Sequence, residues 1–76
     1  MNKIRRNNLN AIIEGLQDLL EQLEELKDEE QEYLDNMPEN LWGSERYEKA
    51  EEAVSNMEDA ISSIEDAMSS VEEATA

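Results

Sequence analysis

The chain contains no cysteine and no histidine, and only one proline, two glycines and one tryptophan among 76 residues. Without cysteine or histidine it has no disulfide, no thiol nucleophile, no thiolate or imidazole metal ligand and no side chain that ordinarily titrates near neutrality. The missing cysteine also fits a reducing compartment. Long apolar runs are missing as well: the longest, Ala11-Ile12-Ile13, is far too short for a membrane span or a signal-peptide core. Bases are scarce, six Lys and Arg against 21 Asp and Glu, for a formal charge of −15. Such a chain repels nucleic acid and anionic membrane surfaces alike, so direct binding to either is not expected and a charged partner should be basic. A cytoplasmic protein is the resulting expectation.

What is present is a pattern. Low hydrophobicity with high net charge is the composition of disordered chains, but here the apolar residues are periodic, which disorder does not require. One row reads Leu9, Ile12, Leu16, Leu19, Leu23, Leu26 and Tyr33; a second reads Tyr47, Val54, Met57, Ile61, Ile64, Met68 and Val71. Spacings that alternate between three and four keep each row on one helical stripe. The rows mirror each other, Leu9 with Val71, Leu19 with Ile61, Tyr33 with Tyr47, and in each pair the residue numbers total 80. Glu30 opposite Ala50 keeps the same register. The fold class predicted is all-α, an antiparallel two-helix coiled-coil hairpin forming a single domain over residues 1–76.

The first helix should run from about 2 to 35 and the second from about 45 to 73. The turn, 36–44, contains Pro38, which lacks an amide donor and disfavours helix in the residue before it. Ser44 reads as an N-cap, with Glu45 and Glu48 favoured in the first turn by the helix dipole. Within the second helix a heptad recurs, beginning at Ala53, Ala60 and Ala67. In the 80-total register Ala60 faces Leu20 and Ala67 faces Ile13, small against large. Ile13 and Leu20 form an apolar column beside the main row, and a chain this short is poorly supplied with buried surface. Self-association is therefore expected, most simply a homodimer closing a four-helix bundle with Ile13 and Leu20 at the interface.

The charges admit structural and functional readings. Lys3, Arg5 and Arg6 stand at a helix start, where the dipole disfavours cations, and Glu72 and Glu73 at a helix end, where it disfavours anions. Attraction across the hairpin between Lys3 or Arg6 and Glu72 or Glu73, and between Arg46 or Lys49 and Glu30, Glu32 or Asp35, accounts for both. Alternatively Arg5, Arg6 and Arg46 from different chains clasp a phosphorylated nucleotide. The acids are candidates for docking on a basic partner, and Glu21, Glu24, Glu25, Asp28, Glu51, Glu58, Asp59, Glu65 and Asp66 are the positions expected to carry it. With arms of about 45 Å, −15 is roughly one charge per 3 Å, close to the 3.4 Å per phosphate of one DNA strand. A polyanion mimic is physically possible on that spacing; a merely solubilising acidic face is the competing reading.

Catalysis and cofactor binding find no support. Adjacent acids such as Glu24-Glu25 point in different directions on a helix. Serines 55, 62, 63, 69 and 70 lack a histidine partner, and the stretch from Asp35 has neither the glycine nor the terminal Glu of a calcium loop. No catalytic, metal or cofactor residue is assigned. Trp42 reads either as a plug, covering the end of the hairpin with Met37 and Leu41 beside Tyr33 and Tyr47, or as an anchor for another protein.

The segment Asn36-Met37-Pro38-Glu39-Asn40-Leu41-Trp42-Gly43-Ser44-Glu45-Arg46-Tyr47-Glu48-Lys49-Ala50 resembles a type of small, acidic, uncharacterised helical-hairpin protein of bacteria and their phages. Those proteins also look like two helices joined by a Met-Pro-Glu-Asn-type turn, so the resemblance covers most of the chain. It implies a phage or mobile-element origin, hence a bacterial host cytoplasm, and a helical hairpin; it brings no activity or site residues, and inhibition of a host or defence protein is expected from the phage origin by an analogy of charge, not of motif. The reading with most support is a non-enzymatic acidic interaction protein that binds a basic, nucleic-acid-binding surface, with a nucleotide sponge or a passive assembly module as alternatives.

Overall fold

Glu, Leu, Gln, Lys and Ala dominate both arms, and these are the residues that lose least on entering a helix. In the computed structural model, which describes residues 1–76, the chain forms α1 (Lys3–Asp35), one turn of 3-10 helix (Glu39–Leu41) and α2 (Glu45–Thr75). The two helices pack antiparallel into a rod of 59 × 15 × 13 Å. Neither is long and apolar enough to cross a membrane.

Each helix limit has a local cause. The Asn2 side chain accepts a hydrogen bond from the Arg5 amide at 2.7 Å and so caps α1. That helix ends at Asn36, whose amide donates back to the Glu32 carbonyl at 3.0 Å, and Pro38 then holds extended geometry at φ −59°, ψ 146°. Gly43 takes φ +84°, a left-handed conformation that costs a side-chain-bearing residue more. Ser44 follows as the N-cap of α2, its hydroxyl accepting from the Tyr47 amide at 3.2 Å. Helix α2 continues two residues past its expected end, to Thr75, whose hydroxyl donates to the Glu72 carbonyl at 2.8 Å.

The antiparallel register stays close to the 80 total. Arg6 reaches the Thr75 carbonyl at 3.2 Å at the free end, and Glu30 shares a surface cleft with Ala50 near the turn. The expected assignment of the two columns of α1 is reversed, however. Leu20 is 5% exposed inside the hairpin and Ile13 is half-buried, whereas Leu19 is 57% exposed and Ile12, Leu26 and Tyr33 are exposed with it. The inward row of α1 is thus Leu9, Ile13, Leu16, Leu20, Leu23, Lys27 and Leu34, with Met37 buried beyond its end. Across from it, α2 buries Ala50, Val54 and Met68.

The reason lies in a degeneracy of the heptad. Leu9, Leu16 and Leu23 belong to the inward stripe whichever neighbouring column joins them, Ile12/Leu19/Leu26/Tyr33 or Ile13/Leu20/Lys27/Leu34. Turning in the second column buries Leu34 and leaves the Tyr33 hydroxyl in water, where it needs no protein partner. It also brings Lys27 onto the inward row, its side chain 25% exposed. The lysine stem covers apolar surface while the ammonium stays at the edge.

Candidate docking faces

Because α1 is turned this way, the two long grooves between the helices differ in chemistry. On one side Glu24, Lys27 and Asp28 of α1 line a groove with Glu58, Ile61 and Ser62 of α2. Its continuation toward the turn is lined by Gln31, Asp35, Glu51 and Glu58 among others. Around the outer flank of α1, Glu21, Glu24, Glu25, Asp28, Glu29 and Glu32 border one continuous acidic surface. Lys27 is the cation at the centre of the groove, with its Nζ 2.8 Å from the Asp28 carboxylate. That hydrogen bond raises the lysine pKa above its ordinary value; partial desolvation opposes the rise, and the charges of Asp28, Glu58 and Glu24 add to it.

Of the acids singled out by sequence, the structure therefore gathers Glu24, Asp28 and Glu58 around Lys27, with Glu51 farther along the same groove and Glu21 and Glu25 on the adjoining flank. Glu65 continues the heptad column of Glu51 and Glu58. Asp59 and Asp66 each follow a member of that column and so point about 100° away around α2. All of these acids are exposed. Only two ion pairs form, Lys27 with Asp28 and Lys49 with Glu45 at 3.1 Å, both within one helix. No family model, curated protein or solved structure matches the chain.

The expected pairing at the free end takes another form. Arg6 does not meet Glu72 or Glu73; its Nε donates to the Thr75 carbonyl at 3.2 Å and its Nη2 to the Met1 carbonyl at 3.5 Å. The guanidinium thus supplies α2 with a cation at its C-terminal end, where α2 has no base in its own last turn. Arg5 lies at this same end of the rod and Arg46 at the other, so one chain does not bring the three arginines together. At the turn, Glu30, Tyr33, Glu45, Arg46, Lys49 and Ala50 line a cleft on the side opposite the acidic groove. No cluster of three or more acids has metal-binding geometry.

Trp42 is held in place at the turn yet stays accessible. Its indole N–H donates to the Met37 carbonyl at 3.0 Å and its ring lies 6.3 Å from that of Tyr47, tilted by 40°. Met37 beneath is buried and Leu41 half-buried, yet the indole itself is 55% exposed. The plug is made by Met37 and Leu41, and Trp42 lies over it as an oriented, accessible aromatic surface. Sequence reasoning missed Lys27 as a groove residue; its signal was the seven-residue spacing from Leu20 and to Leu34.

Proposed function

We propose that the protein is a non-enzymatic acidic docking protein that binds a basic, nucleic-acid-binding surface of another protein through the Glu24/Asp28/Glu58 groove and the adjoining flank of α1. The observation that supports this is the segregation of charge: carboxylates from both helices line one side of the rod, and only one base, Lys27, stands among them. A rod of 59 Å carrying −15 has about one charge per 4 Å, near the phosphate spacing of a DNA strand. The resemblance of the turn segment to small acidic phage proteins favours inhibition of a host or defence protein in a bacterial cytoplasm.

The test is capture from bacterial lysate on the immobilised protein at low salt, followed by elution with salt and, separately, with duplex DNA. Basic nucleic-acid-binding proteins should elute by both routes. Neutralising the groove with Glu24→Gln, Asp28→Asn and Glu58→Gln together should abolish their capture, while Asp59→Asn with Asp66→Asn should leave most of it. Capture indifferent to salt would sink the proposal, because exposed charge pairing must weaken as the screening length falls from about 10 Å at 0.1 M to about 3 Å at 1 M.

A further inference from the structure

Along its middle length the other side of the rod is as free of charge as the groove side is rich in it. On α1 the positions running along it are Asn8, Ile12, Gly15, Leu19, Gln22 and Leu26, none of them ionisable. Tyr33, one heptad past Leu26, shares a cleft with Arg46 of α2, which sets the two on the same side of the hairpin. Stepping by heptads from Arg46 gives Ala53, Ala60 and Ala67, and the positions between them are Asn56, Ser63 and Ser70. A chain with 21 acids thus keeps them all off a stripe that runs the middle length of both helices. Large apolar side chains lie on one edge of the stripe and alanines on the other.

Gly15 points the same way. Glycine weakens a helix interior, and a Cβ added at Gly15 would meet nothing within 4 Å. No packing inside the hairpin calls for it. On the uncharged stripe, beside exposed Ile12 and Leu19, it lets another helix approach closely.

We propose that a second copy of this chain covers the uncharged face, with α1 of each protomer lying along α2 of the other and both turns at the same end of a four-helix bundle. Three observations favour a second copy. Leu19 and Leu26 of one hairpin then lie over the alanine column of the other, large against small; exposed Ala67 is free for this, since it does not face Ile13 inside the hairpin as the register suggested. Near the turn this face carries Glu30 on α1 and Glu45, Arg46 and Lys49 on α2; Lys49 pairs with Glu45 of its own helix, so the pairing sets Glu30 of one copy over Arg46 of the other, twice by symmetry. A face of 59 × 15 Å offers about 900 Å², against the roughly 800 Å² per partner of a stable protein interface. The acidic grooves remain outside, which separates this interface from the Glu24/Asp28/Glu58 surface that receives the basic partner.

Sedimentation of the intact chain from micromolar to millimolar concentration tests it. A dimer is expected, weakened about tenfold or more by Ala67→Glu and by Leu19→Glu, and left intact by Gln17→Glu, which adds the same charge on the acidic side. Ala67 is exposed and Glu is a good helix former, so that variant should keep its helical circular dichroism even if Leu19→Glu does not. A monomer throughout the range, or a dimer that ignores both variants or responds equally to Gln17→Glu, would overturn the proposal. Spin labels on Asn40→Cys, in a chain with no other cysteine, should report a short distance across the dimer; a distance near the length of the rod would overturn the arrangement with both turns together.

Discussion

Leu19 and Leu20 are neighbours in sequence with opposite surroundings, and replacing each with alanine tests the inward row directly. Leu20 is 5% exposed on the inward row and Leu19 is 57% exposed outside it. Removing a buried leucine side chain costs about 2–5 kcal/mol, depending on how well the site collapses. This core is one layer thick and flanked by half-buried Leu16 and Leu23, so partial collapse is easy and the lower part of that range, about 2–3 kcal/mol, is expected for Leu20→Ala. At about 4–8 °C per kcal/mol for a domain of this size, Tm should fall by roughly 10–20 °C. Leu19→Ala gives up little burial and gains helix propensity, and its effect should stay within about 0.5 kcal/mol. The assay is thermal unfolding followed by helical circular dichroism, at concentrations low enough that the chain sediments as a monomer. Equal losses, or a larger loss for Leu19→Ala, would mean that α1 presents its Leu19 column to α2 and would refute the assignment of faces.

The two glycines should respond to alanine in opposite directions. Gly15 is helical, with open space where a Cβ would go, so Gly15→Ala should stabilise the monomer by about 1 kcal/mol; Gly43 sits at φ +84°, and Gly43→Ala should destabilise it by about 1 kcal/mol, both read as shifts in the urea midpoint. Lys27 has its pKa raised by Asp28, so the stability it contributes is fully present below lysine's ordinary 10.5 and is lost as pH rises through the raised value. The wild type should therefore lose Tm over that alkaline interval more steeply than Lys27→Met, and parallel profiles would count against the ion pair. Trp42→Phe removes the hydrogen bond to Met37 while keeping an aromatic ring, so it should lower Tm by only a few degrees, the loss of a single hydrogen bond worth about 1 kcal/mol; a drop as large as that of Leu20→Ala would make the indole itself the plug.

How far the sequence could be read depends on whether a feature is set locally. Asn36, Pro38 and Ser44 act through their own dihedral angles and nearest amides, so the turn and the start of α2 fall where those residues place them. The 80 total is legible for a related reason: once the turn has a fixed length, an antiparallel hairpin has one register. The rotation of α1 about its own axis is not local. Leu9, Leu16 and Leu23 face inward in either rotation, and the apolar spacing cannot rank Ile12, Leu19 and Leu26 against Ile13 and Leu20. That choice turns on Leu34, Tyr33 and Lys27 near the turn, residues with conflicting preferences that only the assembled hairpin balances. The exposure of the acids was legible because isolated carboxylates resist burial. Which of them share a groove was not, since it depends on that rotation.

The same rotation explains why the two sides of the rod differ so sharply. Had α1 turned the Leu19 column inward, Leu26 would replace Lys27 on the inward row, and the drier core would make that rotation attractive for the isolated hairpin. The columns would then exchange places, and exposed Ile13 and Leu20 would border the groove that holds Glu24, Asp28 and Glu58. An apolar strip among those carboxylates would be a poor seat for a second acidic chain, because like charges brought together there would be desolvated and would repel. With Leu20 inward, the leftover apolar column lies instead beside Ala53, Ala60 and Ala67, where no carboxylate intervenes along the middle of the stripe. Lys27 at the edge of the core is the local cost of that arrangement, and its contact with Asp28, reinforced by the charges of Glu58 and Glu24, offsets part of it. A partial rotation of one helix about its axis thus separates the surface suited to a second copy from the surface suited to a basic partner, and a dimer formed on the first face would carry the second on both of its flanks.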